Sequence, residues 1–130
     1  MDLSRLNKNQ KEAVETIYGP IMAIAGAGSG KTSVLTNRLA YMIEQGVDAF
    51  NILAVTFTNK AAKEMKERAK KLAGDDADIA TICTFHSFCG KILRIEVEHT
   101  GYLRGFEIID EDDSLEYVKD AIKALNLDAN

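Results

Sequence analysis

Eight residues, Ala25-Gly26-Ala27-Gly28-Ser29-Gly30-Lys31-Thr32, have the types and order that a loop needs to wrap a polyphosphate. Glycines at 26, 28 and 30 let the backbone take positive φ and bring successive N–H groups against phosphate oxygens that a side chain would strike. Lys31 supplies a mobile cation for the β- and γ-phosphates, and the Thr32 hydroxyl is placed to ligate Mg2+, which otherwise keeps water and phosphate oxygens. The N-terminus of a following helix adds partial positive charge. The chemistry implied is binding of ATP or GTP with Mg2+. The pattern departs from G-x-x-x-x-G-K-[ST] at its first position, where Ala25 stands.

Such a loop works only between a strand and a helix. Pro20 to Ala25 is an apolar run expected to form a buried parallel strand, and Lys31 to Gln45 carries Leu35, Leu39, Met42 and Ile43 at helical spacing before Gly46 stops it. Upstream, a helix is expected from Asn7, which caps with Gln10 at the capping-box position, to about Tyr18. Ile52 to Phe57 reads as a second strand. Thr58 then caps a helix with Ala62, Met65, Ala69 and Leu72 inward and Gly74 as its stop. Ile79 to Thr84 makes a third strand, followed by a helix from about His86 to Glu98. A short extended piece holds Phe106, Ile108 and Ile109, and a last helix aligns Leu115, Val118, Ile122 and Leu125. Alternating helices and strands predict an α/β fold with a parallel sheet flanked by helices.

With 130 residues the chain is expected to be one domain or part of one. Its net charge of −4 taken alone argues against a nucleic-acid partner, yet that average hides an acidic end. Residues 60–71 hold Lys60, Lys63, Lys66, Arg68, Lys70 and Lys71 against Glu64 and Glu67, a run that on a helix is usually a solvated face. No signal peptide and no apolar stretch near the ~20 residues of a membrane span is visible, so a cytoplasmic protein without a membrane partner is expected. Cys83, His86 and Cys89 suggest zinc by spacing, but the segment crosses from strand to helix without a fourth ligand, and small buried cysteines are expected instead.

Hydrolysis of a nucleotide needs carboxylates to hold Mg2+ and orient water. Glu107 and Asp110 to Asp113 form the acidic cluster that invites this role, but Asp113-Ser114-Leu115-Glu116 has the spacing of a capping box opening the last helix. The catalytic carboxylates of a Walker B motif are therefore expected to be missing from these 130 residues.

Four segments in order resemble the superfamily 1 DNA helicases of the UvrD, PcrA and Rep type. Leu6-Asn7-x-x-Gln10 is similar to the Q motif, and Ala25 to Thr32 to motif I, in which alanine at the first position is usual. Thr56-Phe57-Thr58-Asn59-Lys60-Ala61-Ala62 is similar to motif Ia and Thr84-Phe85-His86-Ser87 to motif Ib. The resemblance implies a partial RecA-like P-loop NTPase domain over residues 1–105 and the start of an inserted helical subdomain over 106–130. It implies an ATP-dependent 3′-to-5′ helicase acting in DNA repair and replication, with the chain alone inactive.

By the same resemblance Gln10 reads adenine. Gly26, Ala27, Gly28, Ser29, Gly30, Lys31, Thr32 and Ser33 hold the nucleotide, with Lys31 and Thr32 catalytic and Thr32 on the metal. Many relatives carry arginine where Ser33 stands. Phe57, Asn59, Lys60, Thr84, Phe85 and His86 line a path for single-stranded DNA or a single/double-strand junction, and the remaining helicase domains are partners. Aromatic rings on that path stack on bases without regard to sequence. Two other classes share the loop: a small P-loop kinase, which needs a phosphoacceptor site and an arginine-rich lid, and a non-catalytic nucleotide-binding regulator.

Overall fold

The computed structural model describes residues 1–26 and 28–127, and the chain divides into two compact units, Met1–Lys91 and Ile92–Asn130. In the first, α1 spans Lys8–Glu15 and starts as the sequence predicts. Asn7 Oδ1 accepts from the Gln10 amide at 2.9 Å and Gln10 Oε1 accepts from the Asn7 amide at 3.0 Å. These bonds satisfy donors that have no partner inside the helix. The helix ends before Tyr18 because Thr16 turns back, its amide and hydroxyl both donating to the Glu12 carbonyl. A second helix, α2, spans Lys31–Glu44 and stops just short of Gly46.

Among the described residues the sheet has two parallel strands, β1 (Leu53–Thr56) and β2 (Thr81–Thr84), paired from Leu53 opposite Thr81 to Thr56 opposite Thr84. The strand expected over Pro20 to Ala25 does not form. A strand exists only through a neighbour's hydrogen bonds, and among the described residues none pairs with this segment. Met22 and Ile24 stand 83% and 91% exposed in consequence. The third expected strand starts late, because Asp76–Ile79 folds into a single helical turn, α4, that includes Ile79.

Between the strands, α3 (Asn59–Ala73) is the crossover that parallel pairing requires. Thr58 Oγ1 caps it by accepting from the Ala61 amide at 3.1 Å. Ala62, Met65 and Ala69 are buried as expected, whereas Leu72 is half exposed. The core joins Leu39 of α2, Ala49, Ile52, Ala69, Ala77 and Ala80, with Met42, Ile43, Val47, Ala54, Ala73 and Ile82 packed on it. Alanines dominate, so backbones approach closely and little apolar volume is enclosed. Leu35, one of the apolar residues at helical spacing in α2, is half exposed. Cys83 is half-buried and Cys89 exposed, so the cysteines are not the buried pair expected.

The division between units falls within α5 (Phe85–Ile95), which stops before Glu98 and is followed by a 3-10 turn over Val97–His99. In the second unit Val97 is buried, Tyr102 and Phe106 set their ring centroids 5.6 Å apart, and the Arg94 guanidinium lies over the Phe106 ring. No strand forms through Phe106, Ile108 and Ile109. The last helix, α6 (Glu111–Ala124), opens three residues earlier than expected. Asp110 Oδ1 accepts from the Asp113 amide at 2.9 Å and Asp113 Oδ2 from the Asp110 amide at 3.3 Å, so the box is Asp110 with Asp113. Leu115 and Val118 share one stripe with Ile122, yet α6 has no buried residue.

Candidate functional site

The loop that precedes α2 is closed by its own lysine. Lys31 Nζ donates to the Ala25 carbonyl at 3.0 Å and to the Gly26 carbonyl at 2.6 Å. Ser29 Oγ donates to the Gly26 carbonyl at 2.7 Å, drawing the turn tight. Gly28 and Gly30 take φ of +73° and +84°, a region that side chains avoid, whereas Gly26 does not. Ala27 lies outside the described residues. The Val34 amide bonds the Gly30 carbonyl at 3.0 Å, so the helix starts directly behind the loop and leaves its first amides without intrahelical acceptors.

Gln10 joins α1 to this loop. Its Nε2 donates to the Ser29 carbonyl at 2.9 Å while its Oε1 holds the Asn7 amide. A Cβ placed on Gly30 would come 3.1 Å from that Nε2, so a bare glycine lets the two segments meet. Thr32 and Ser33 occupy the first turn of α2, half-buried, and Asn37 Nδ2 donates to the Ser33 carbonyl at 2.7 Å. A cleft of about 220 Å³ runs beside them, lined by Gln10, Ala13, Ile24, Lys31 and Leu35 among others.

Arg38 has a part that sequence reasoning missed. From α2 its guanidinium donates to the Ala13 carbonyl at 2.6 Å and to the carbonyls of Thr16 and Ile17, where α1 runs out of donors. It fixes the end of the helix whose start carries Gln10. Nothing in local spacing signals this, because the partners lie more than twenty residues away.

A second group gathers at the C-terminal ends of the strands. Register aligns Thr56 with Thr84, and the next residues, Phe57 and Phe85, bring their ring centroids to 5.6 Å with the planes tilted by 46°. Phe57 is 86% exposed. Asn59 and Lys60 on the first turn of α3 and His86 on α5 are also exposed. Thr84 differs from these: it is buried, its Oγ1 accepting from the Ser87 amide at 3.1 Å and donating to the Ser87 hydroxyl, so it caps α5.

At the corner between α3 and α4, Lys70 donates to Asp78, with Asp75 and Lys66 nearby. The bond to Asp78 raises the Lys70 ammonium above its ordinary value and holds the Asp78 carboxyl below its own.

Residues 6–130 match the UvrD/REP helicase N-terminal domain along nearly the whole chain. The chain belongs to this UvrD/REP helicase family. Among similar proteins, the ATP-dependent DNA helicase PcrA of Staphylococcus aureus is 51% identical over 128 residues, 98% of this chain and 18% of PcrA. The PcrA of Staphylococcus epidermidis is 49% identical over the same shares. The chain thus spans about a fifth of the length of these UvrD/REP relatives. Among the described residues, no helix is long and apolar enough to cross a membrane.

Proposed function

We propose that this chain is the ATP-binding and single-stranded-DNA-contacting segment of an ATP-dependent 3′-to-5′ DNA helicase, built as part of a RecA-like P-loop domain. The observation that carries the reading is the closed loop: Lys31 on the Ala25 and Gly26 carbonyls, Gly28 and Gly30 in positive φ, and α2 opening directly behind. These residues suit a polyphosphate. Lys31 would hold the β- and γ-phosphates, the backbone amides from Gly30 to Ser33 would donate to phosphate oxygens, and Gln10, whose amide here bridges Asn7 and Ser29, would hold the base. Thr32 is the residue that would hold Mg2+, which supplies charge neutralisation on the phosphates. Residues 1–105 form the nucleotide-binding part and 106–130 begin an inserted subdomain.

The exposed Phe57 and Phe85 rings form the stacking platform for DNA, flanked by Asn59, Lys60 and His86. Thr84 acts by positioning Phe85 and His86 through its cap. The carboxylates for hydrolysis, the other helicase domains and a cytoplasmic role in DNA repair or replication belong to the longer protein that the PcrA relatives exemplify. Titration with Mg-ATP and with oligo-dT tests the reading, since a P-loop kinase or regulator would take the first ligand alone. Binding of both, with Lys31→Ala removing ATP and sparing DNA, is expected; ATP binding that survives Lys31→Ala would overturn it.

A further inference from the structure

The side-chain amide of Gln10 serves two backbone groups at once. Its Oε1 accepts from the Asn7 amide at 3.0 Å, closing the cap of α1, and its Nε2 donates at 2.9 Å to the Ser29 carbonyl, 19 residues away. A carboxamide has two donor hydrogens and two acceptor lone pairs, so one of each remains for a base.

The bond to Ser29 acts beyond the atom it touches. A peptide unit is planar with its C=O and N–H pointing opposite ways, so a donor on the Ser29 carbonyl also fixes the direction of the Gly30 N–H. Gly30 takes φ of +84° and is the N-cap of α2, which puts that fixed direction at the junction of loop and helix. Glycines at 26, 28 and 30 give this segment more conformational freedom to lose than any other residue type would, and a tether that removes some of it in advance lowers the cost of binding.

The tether is anchored at its other end. Val14, one turn along α1 from Gln10, is buried, and Arg38 of α2 donates to the carbonyls of Ala13, Thr16 and Ile17 where α1 finishes. Gln10 thus reaches the loop from a helix that is itself held against α2.

We propose that Gln10 is a positioning residue for the phosphate loop: by holding the Ser29–Gly30 peptide it sets affinity for the polyphosphate itself, with or without a base attached. This role rests on the reading of residues 25–32 as a polyphosphate loop.

Calorimetric titration of the chain with Mg-tripolyphosphate, which has no base, and in parallel with Mg-ATP, tests it. Gln10→Met keeps the length of the side chain, adds no charge and removes both bonds. Gln10→Glu keeps the acceptor for the Asn7 amide and removes the donor to Ser29. Asn7→Ala removes the other half of the cap, the Asn7 Oδ1 acceptor of the Gln10 amide, and is the control for helix stability. Both Gln10 variants should weaken tripolyphosphate by about three- to tenfold, the worth of one hydrogen bond, and ATP by at least as much. Asn7→Ala should lower the melting temperature and leave both affinities in place.

A Gln10→Met variant that weakens ATP and leaves tripolyphosphate untouched would assign Gln10 to the base alone and overturn the role. Equal weakening of tripolyphosphate by Asn7→Ala would overturn it too, by reducing the effect to helix stability. Failure of the unaltered chain to bind either ligand would overturn the reading of the loop and this role together.

Discussion

Phe57 and Phe85 lie 28 positions apart in sequence, yet their rings sit 5.6 Å from centroid to centroid because each directly follows one end of a pair of in-register parallel strands. With Phe57 86% exposed, its ring adds little to the core and is available to a base. Phe57→Ala should weaken oligo-dT binding by ~1–3 kcal/mol, the range for one base stacked on a ring. The melting temperature should hardly move. Fluorescence anisotropy at low and moderate salt, beside a thermal melt, reads both; a large loss of stability would return Phe57 to a packing role.

Lys31→Ala should abolish Mg-ATP binding, measured by calorimetry, with almost no change in stability. Its ammonium contacts only the Ala25 and Gly26 carbonyls of an exposed loop, so removing it uncovers acceptors that water satisfies.

Arg38→Met keeps the aliphatic stem and removes every donor to the carbonyls of Ala13, Thr16 and Ile17. Stability should fall by about 1–3 kcal/mol, the cost of stranding acceptors that a charged group had satisfied. Nucleotide affinity should fall too, because α1 carries Gln10. Urea titration and ATP titration of one variant separate these effects, and an unchanged ATP affinity would detach Arg38 from the site.

The Lys70 and Asp78 pair sets a pH dependence at both extremes. Asp78 is held below its ordinary 3.8, so its contribution is present above that value and lost as pH falls through the lowered one. Lys70 is raised above 10.5, so its contribution is present below that value and lost as pH rises through the raised one. Both groups are exposed, so the effect should be small and shrink with salt. Asp78→Asn should flatten the acid limb of melting temperature against pH; an identical limb in the variant would dismiss the pair.

Ala69 is fully buried where α3 meets the core. Ala69→Leu should destabilise by about 1–3 kcal/mol through overpacking. A rise in the urea midpoint would mean that the core holds more free volume than its alanines suggest.

What the sequence made legible was local. Asn7, Thr58 and Gly74 announce helix ends because the bonds that satisfy a terminus reach only three or four residues. The acidic cluster misled for the same reason: Asp110 with Asp113 and Asp113 with Glu116 repeat one spacing, and only the backbone chooses between them. The Pro20 to Ala25 run has strand composition but depends on a partner that composition does not supply. Arg38 and the meeting of Phe57 with Phe85 depend on long-range register. The placement of Gln10 against Ser29 was half visible, its cap being local and its reach to the loop not.

The Lys31 ammonium rests on two carbonyls, so on the proposed reading an arriving anion must displace an existing partner, and the loop would filter ligands by length. A single phosphate, seated at the amides behind Gly30, would leave the lysine where it is. A chain of three can occupy those amides and still present oxygens to the ammonium, so release of the carbonyls and capture of the terminal phosphate become one exchange. Discrimination against a single phosphate would then be a property of the resting loop itself.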